Sequence, residues 1–363
     1  MKKALLLPRK YIQGRGVISE IGAYAKLLGR KAVITWGGRT KAAVGEAALK
    51  SLKDAGVEYV DDHFNGECTK AEARRIADAA KGSDLIIGVG GGKAIDTAKG
   101  AAIFAGLPHI IVPTVASNDS PTSACTVWYD DGGVCVGFDL WPSNPDYIMV
   151  DTEVIARAPL RLFIAGIGDA ASTWFEAEAS YASRAVTCSG GTPTMTVMAM
   201  AKLCFDILME YALPAIEAVK VHAVTPAVEK VVEATTLMSG IGWESGGLTT
   251  AHQIANALPA FHETHAYLHG EKVSFGLMIQ LCLDDSLPAK LIDSTAEFLA
   301  RAGLPVTLGD IGLGGIPEKN LREFASAATG EGSFVHNHNF TVAGADLYDA
   351  IIAADALGKK AKG

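Results

Sequence analysis

A carboxylate and two imidazoles are the groups in this chain best suited to metal chemistry. Asp169 follows Ala165, Gly166, Ile167 and Gly168; His252 sits between Ala251 and Gln253; His269 precedes Gly270 and Glu271. Two imidazoles and one carboxylate leave a tetrahedral ion one open position, the donor set of a catalytic rather than a structural zinc. No short spacing links the three, so sequence alone does not bring them together. His262, His265, His336 and His338 compete as ligands, and a histidine on an Ala-rich helix is commonly a core residue. Glu263 and His265, close to His269, are candidates for orienting a ligand ring.

A second chemical signal is the run Leu85 to Val89 followed by Gly90, Gly91, Gly92, Lys93, Ala94, Ile95 and Asp96. It reads as a buried strand feeding a helix through a turn without side chains. The first amides of such a helix lack internal partners and, with the helix dipole, seat phosphate oxygens. The run matches neither G-x-G-x-x-G, which needs a glycine at Lys93, nor the P-loop, which needs a hydroxyl after it. Lys93, Asp96 and Lys99, spaced three apart, fall near one helix face, where charge beside a pyrophosphate or nicotinamide is useful. The hydroxyl-rich segment from Pro113 to Ala124, which includes Thr114, Ser117, Asp119 and Ser123, follows another strand. It emerges at the carboxyl edge of the expected sheet, where doubly wound folds bind ligands.

These groups need elements to hold them. At 363 residues the chain exceeds one ordinary core, which predicts two domains. Up to 157, strand-like segments (Lys31 to Thr35, Val57 to Phe64, Asp84 to Val89, His109 to Val112, Tyr147 to Asp151) alternate with amphipathic ones such as Lys41 to Ala55 and Lys70 to Ala80. That alternation predicts an α/β, doubly wound, parallel-sheet domain. Cys125 to Tyr129 and Val134 to Phe138, joined by an Asp/Gly cluster, read as a hairpin. From 158 to 363 the pattern turns helical, with helices expected at Pro193 to Tyr211 (Thr192 as N-cap), Pro226 to Ser239 and Thr249 to Leu258. A cleft between two such domains is the expected ligand site.

Bulk composition excludes some partners. A net charge of −8 with no Lys/Arg cluster argues against nucleic acid or an anionic membrane. Six scattered cysteines without a C-x-x-C pair suggest reduced thiols in a cytoplasmic protein. The apolar stretch after Lys2 and Lys3 stops at Pro8, too short for a signal peptide, and no run approaches the ~20 apolar residues of a membrane span.

Taken together, these segments resemble the glycerol dehydrogenase branch of the iron-containing (metal-dependent, type III) alcohol dehydrogenase superfamily. The likeness runs from Lys10 to Gly14 through Gly66 and Glu67, Gly88 to Lys99 and Ser117 to Ala124. It continues with Gly166 to Asp169, Trp174 to Glu176, Glu244 to Leu248 and His269 to Val273. The resemblance implies the fold shared with dehydroquinate synthases, an N-terminal α/β nucleotide-binding domain and an all-α C-terminal domain. It also implies zinc on Asp169, His252 and His269. Related iron enzymes carry a His four residues after the Asp; here that residue is Thr173, which favours the zinc subgroup.

By the same resemblance Asp119 contacts substrate. Cofactor contacts fall on Gly37, Gly90, Gly91, Gly92, Lys93, Ala94, Ile95, Asp96, Thr114, Ser117, Ser123, Cys125 and Tyr129. The implied reaction is reversible oxidation of glycerol or a related vicinal diol to a hydroxyketone with NAD, in a homo-oligomer, often an octamer. Many relatives have an Asp where this chain has Gly37; with Arg39 nearby, NADP becomes possible. Asn118 stands where relatives often have Thr, a change that falls in the polyol pocket the resemblance implies. Three other readings are a dehydroquinate synthase-like NAD/zinc lyase, an NADP-linked reductase of hydroxyketones or 2-oxo acids, and a nucleotide sensor without catalysis. The lyase would need more cations near the metal than Lys272.

Overall fold

The computed structural model describes residues 2–363. The chain divides into two compact units. Leu6–Phe163 and Ala218–Gly240 make the first; the second comprises chiefly Ile164–Glu217 and Ile241–Gly363. The change of sequence texture at 157 thus falls inside the first unit, which keeps the chain to Phe163 and later takes back a helical segment.

The first unit is built on strands β1 (Lys10–Gly14), β2 (Lys31–Trp36), β3 (Glu58–His63), β4 (Leu85–Gly90), β5 (His109–Pro113) and β8 (Tyr147–Asp151). All pair in parallel, in the order β1-β8-β5-β4-β2-β3. β4, β5 and β8 are buried along their whole length, as befits strands covered on both faces. Helices α1 (Ile21–Leu28), α2 (Thr40–Asp54), α3 (Lys70–Ala79), α4 (Gly92–Ala105) and α5 (Thr152–Arg157) connect or follow them. Ile34, Leu52, Ile87, Val112 and Met149 are among the side chains of the shared core.

The sheet has six strands where the sequence pattern predicts five. β1 has little apolar alternation and lies at the sheet edge, paired only with β8, so its strand character comes from tertiary pairing rather than local pattern. β6 (Cys125–Tyr129) and β7 (Cys135–Leu140) form the expected hairpin as a separate antiparallel sheet. Asp130 Oδ1 closes its turn by accepting the N–H groups of Gly132 and Val134, each at 2.9 Å.

From Leu160 the chain is helical: α6 (Leu160–Ser183), α7 (Met195–Lys220), α8 (Pro226–Glu233), α9 (Ser239–Gly246), α10 (Thr250–Ala257), α11 (His269–Leu283), α12 (Ala289–Arg301), α13 (Glu318–Ala328) and α14 (Gly344–Lys362). Two expectations are corrected. α7 is capped by Thr194, whose Oγ1 accepts from the Val197 N–H at 3.2 Å, because Thr192 is instead tied to the Lys2 carbonyl. The helix expected over Pro226 to Ser239 is broken by a π-helical turn at Ala234–Met238 before α9 resumes. No described helix is long and apolar enough to cross a membrane.

His109, at the start of β5, gives the sheet a pH limit. Burial pushes its imidazole down to about 4, with the Lys99 charge adding to the effect and Asp146 opposing it. Between its ordinary value of 6.5 and about 4, the unfolded chain binds a proton here that the folded chain does not. Stability contributed above pH 6.5 is therefore lost as pH falls, by roughly 3 kcal/mol at ~1.4 kcal/mol per unit. Urea unfolding at pH 7 and pH 4.5 will show a smaller loss for His109→Gln than for the parent; equal losses would contradict this assignment.

Candidate active site and metal centre

Asp169, His252 and His269 come together. Each offers one ligand atom, and the three atoms lie within 4.8 Å of one another. His252 Nε2 and His269 Nε2 each stand 3.4 Å from Asp169 Oδ1. All three residues belong to the helical unit, so that unit's own packing builds the cluster.

Close helix contact explains the convergence. A Cβ on Gly270, beside His269, would lie 1.8 Å from the Ala165 carbonyl oxygen, so only glycine lets α11 approach α6 here. A Cβ on Gly276 would lie 2.2 Å from the Ala251 oxygen, which brings α11 equally near α10. One helix thus carries His269 to both its partners.

A fourth residue orders the cluster. Glu176 lies seven residues after Asp169, two turns along the same face of α6. Its fully buried carboxylate accepts from His252 Nδ1 at 2.5 Å and from the Ser172 hydroxyl at 3.1 Å. It also takes the N–H groups of Thr249 (2.9 Å) and His252 (3.0 Å), two orphan donors at the start of α10. With Nδ1–H given to Glu176, His252 turns its Nε2 toward Asp169, the nitrogen a bound metal ion would take in place of a proton. Sequence reading named Glu263 and His265 for this role. The structure gives the role on His252 to Glu176, while His265 turns to the Pro259 carbonyl and packs edge-on against His262. The i, i+7 spacing from Asp169 was the available signal for Glu176.

Electrostatics fit the cluster to a cation. Burial opposes charge on His252, yet Glu176 and Asp169 outweigh it and hold the imidazole well above the ordinary histidine range. Burial likewise pushes the Glu176 carboxyl up, and His252 with the backbone donors more than offsets this, leaving it below its usual range. Two buried carboxylates around two imidazoles call for positive charge, and the donor set suits a divalent transition metal. His269, whose side chain is 38% exposed, leaves the cluster accessible. The competing histidines stand elsewhere: His338 Nε2 meets the Thr250 hydroxyl and His336 Nε2 the Gly330 carbonyl. Thr173 is buried on α6.

Glu176→Gln keeps the shape and removes the charge behind His252. Metal affinity in chelator competition is expected to fall 10–100-fold with the fold intact by circular dichroism. Unchanged affinity would remove Glu176 from this role.

The α/β unit holds a second feature, a groove of about 690 Å³ at the carboxyl ends of β2, β4 and β5. Gly37, Gly91, Gly92, Lys93, Ala94, Thr114 and Ser117 all line it. Gly91 caps α4, whose first-turn amides point out of the helix as expected for an anion seat. Gly90, Ile95, Asp96, Ser123, Cys125 and Tyr129 are not among the lining residues.

Asp96 and Lys99 turn inward rather than toward the groove. Asp96 pairs with Lys99 at 2.8 Å, accepts from the Ser120 hydroxyl, and takes the Val127 N–H at 3.1 Å. Lys99 Nζ also donates to the carbonyls of Ser120 (2.9 Å) and Ser123 (3.3 Å). This pair braces the segment that carries Asp119, which is buried and receives the Ser239 hydroxyl at 3.4 Å. Lys93 pairs with Glu67 at 2.6 Å and lies 4.4 Å from the centre of the Tyr129 ring.

Relatives fix the class. A family model described as iron-containing alcohol dehydrogenase matches residues 8–152. A glycerol dehydrogenase of Escherichia coli O6:H1 is 41% identical, over 99% of this chain and 98% of its own. A glycolaldehyde reductase of Halobacterium salinarum is 40% identical over 98% of each chain. The crystal structure of a probable glycerol dehydrogenase from Sinorhizobium meliloti 1021 superposes with a TM-score of 0.91 at 38% identity, covering 99% of this chain and all of that one. The chain is accordingly an enzyme, an oxidoreductase with a parallel-sheet α/β unit and a helical unit. It belongs to the iron-containing alcohol dehydrogenase family, whose members are metal-dependent, and this sets aside the non-catalytic sensor.

Proposed function

We propose that this enzyme catalyses the reversible oxidation of glycerol and related vicinal diols to hydroxyketones, dihydroxyacetone from glycerol, with NAD as hydride acceptor and zinc on Asp169, His252 and His269. The convergence of these three side chains, with Glu176 behind one of them, carries the reading. Its full-length similarity to glycerol dehydrogenases supports the substrate class.

When bound, zinc supplies Lewis acidity toward a hydroxyl oxygen, and the nicotinamide ring supplies the hydride acceptor. The protein's share is positioning and charge. Asp169 and the two imidazoles hold the ion, and Glu176 fixes the tautomer of His252. Gly91 to Ala94 offer amides to the pyrophosphate oxygens at the start of α4. Asp119, held in place through the Asp96–Lys99 brace, orients a substrate hydroxyl. Holding carbinol carbon and acceptor in register is worth ~7–11 kcal/mol of barrier in well-oriented systems.

The test is absorbance at the reduced-nicotinamide band with purified protein, first with glycerol and then with 1,2-propanediol. Turnover is expected with both, abolished by a chelator and restored by zinc. It should rise with pH in the oxidation direction because a proton is released. Activity that survives complete metal removal, or no turnover with any diol, would overturn the reading.

A further inference from the structure

We propose that the groove of the α/β unit also takes a 2′-phosphorylated adenosine, with Arg39 as the ligand of that phosphate, so that NADP binds at least as tightly as NAD. This rests on the dinucleotide reading of the same groove. Its lining carries three cations, Arg39, Lys93 and Arg157, and no Asp or Glu. Lys93 is committed to Glu67, and Arg157 to Glu153 at 2.8 Å. Arg39 is exposed and is the cation of the three without an ion pair among the described residues.

Strand geometry places Arg39 at the adenosine end. β2 lies directly beside the glycine-loop strand β4, with Trp36 opposite Val89, and Gly37 to Thr40 continue from its carboxyl end. In dinucleotide folds, a carboxylate where the strand next to the glycine-loop strand ends bonds the ribose 2′-hydroxyl and repels a 2′-phosphate, whereas an Arg accommodates it. Here a carboxylate has no room. A Cβ on Gly37 would lie 2.6 Å from Ala94 Cβ and 3.4 Å from Gly90 Cα.

Neither carboxylate at the carboxyl end of the adjoining edge strand can substitute for it. Asp61 is held by the Trp36 indole at 2.7 Å and by Lys41, and Asp62 by Arg75 at 2.9 Å. The ribose end of the groove therefore presents an unopposed guanidinium, the group best matched to phosphate geometry.

Binding of 2′,5′-ADP and 5′-AMP to the whole protein, measured by calorimetry at low salt, reads the 2′-phosphate without any turnover. The former is expected to bind about tenfold tighter. Arg39→Ala should reduce that ratio about tenfold, and Arg39→Lys should recover part of it. A ratio at or below one, or a ratio indifferent to Arg39, would overturn the inference. Binding of NADH, followed by its fluorescence in parallel, separates the two levels. If NADH binds while the 2′-phosphate confers nothing, the inference falls and the function stands; if no nicotinamide dinucleotide binds, both fall.

Discussion

His252→Ala will leave the purified protein with less than a tenth of its stoichiometric zinc and will lower kcat for glycerol at least a thousandfold. The expectation follows from the position of His252 in the cluster. It offers one of the three converging ligand atoms, and its other ring nitrogen is the one Glu176 fixes at 2.5 Å. Its loss takes away a ligand and also leaves the buried Glu176 carboxylate without its imidazole partner. Elemental analysis alongside steady-state kinetics checks both halves. Full zinc content with full turnover would remove His252 from the centre.

Lys99→Met should be the most damaging single change to stability. The Lys99 side chain is 1% exposed, and Asp96, its partner, only 8%. Breaking a buried ion pair by deleting one member costs ~3–5 kcal/mol, because the remaining charge keeps its desolvation without its compensation. The damage should extend to function, since the same ammonium ties down the carbonyls of Ser120 and Ser123 on the segment that presents Asp119. Thermal unfolding with zinc and cofactor present should show a large drop in midpoint, and KM for glycerol should rise in whatever folds. The double variant Lys99→Met/Asp96→Asn should recover part of the stability. A single variant as stable as the parent would show that the pair is not the brace inferred here.

What could be read in the sequence was mainly what is local. The glycine run from Gly90 to Gly92 announced its strand-to-helix turn because backbone conformation and the missing side chains are properties of those residues alone. The apolar runs of β4 and β8 are visible for the same reason. β1 is not, because Lys10 to Gly14 become a strand only by pairing with Tyr147 to Asp151. Asp96 and Lys99 lie on the expected helix but face inward, because helical spacing gives angle around an axis and only packing decides which angle is buried.

The metal cluster lies between these cases. Its residue types were recognisable, while their meeting depends on α11 approaching α6 at Gly270 and α10 at Gly276, contacts between separate helices that periodicity does not encode. Glu176 was within reach, since a carboxylate two turns from a ligand on one helix face is a local pattern. Nearness in sequence to His269, which points to Glu263, is the weaker guide, because the role on His252 is filled from another helix.

Anomalous diffraction at the zinc edge from crystals of the active enzyme tests the central claim most directly. A single peak is expected within about 2.0–2.2 Å of Asp169 Oδ1, His252 Nε2 and His269 Nε2. A peak on other residues, or none in crystals that turn over glycerol, would contradict it.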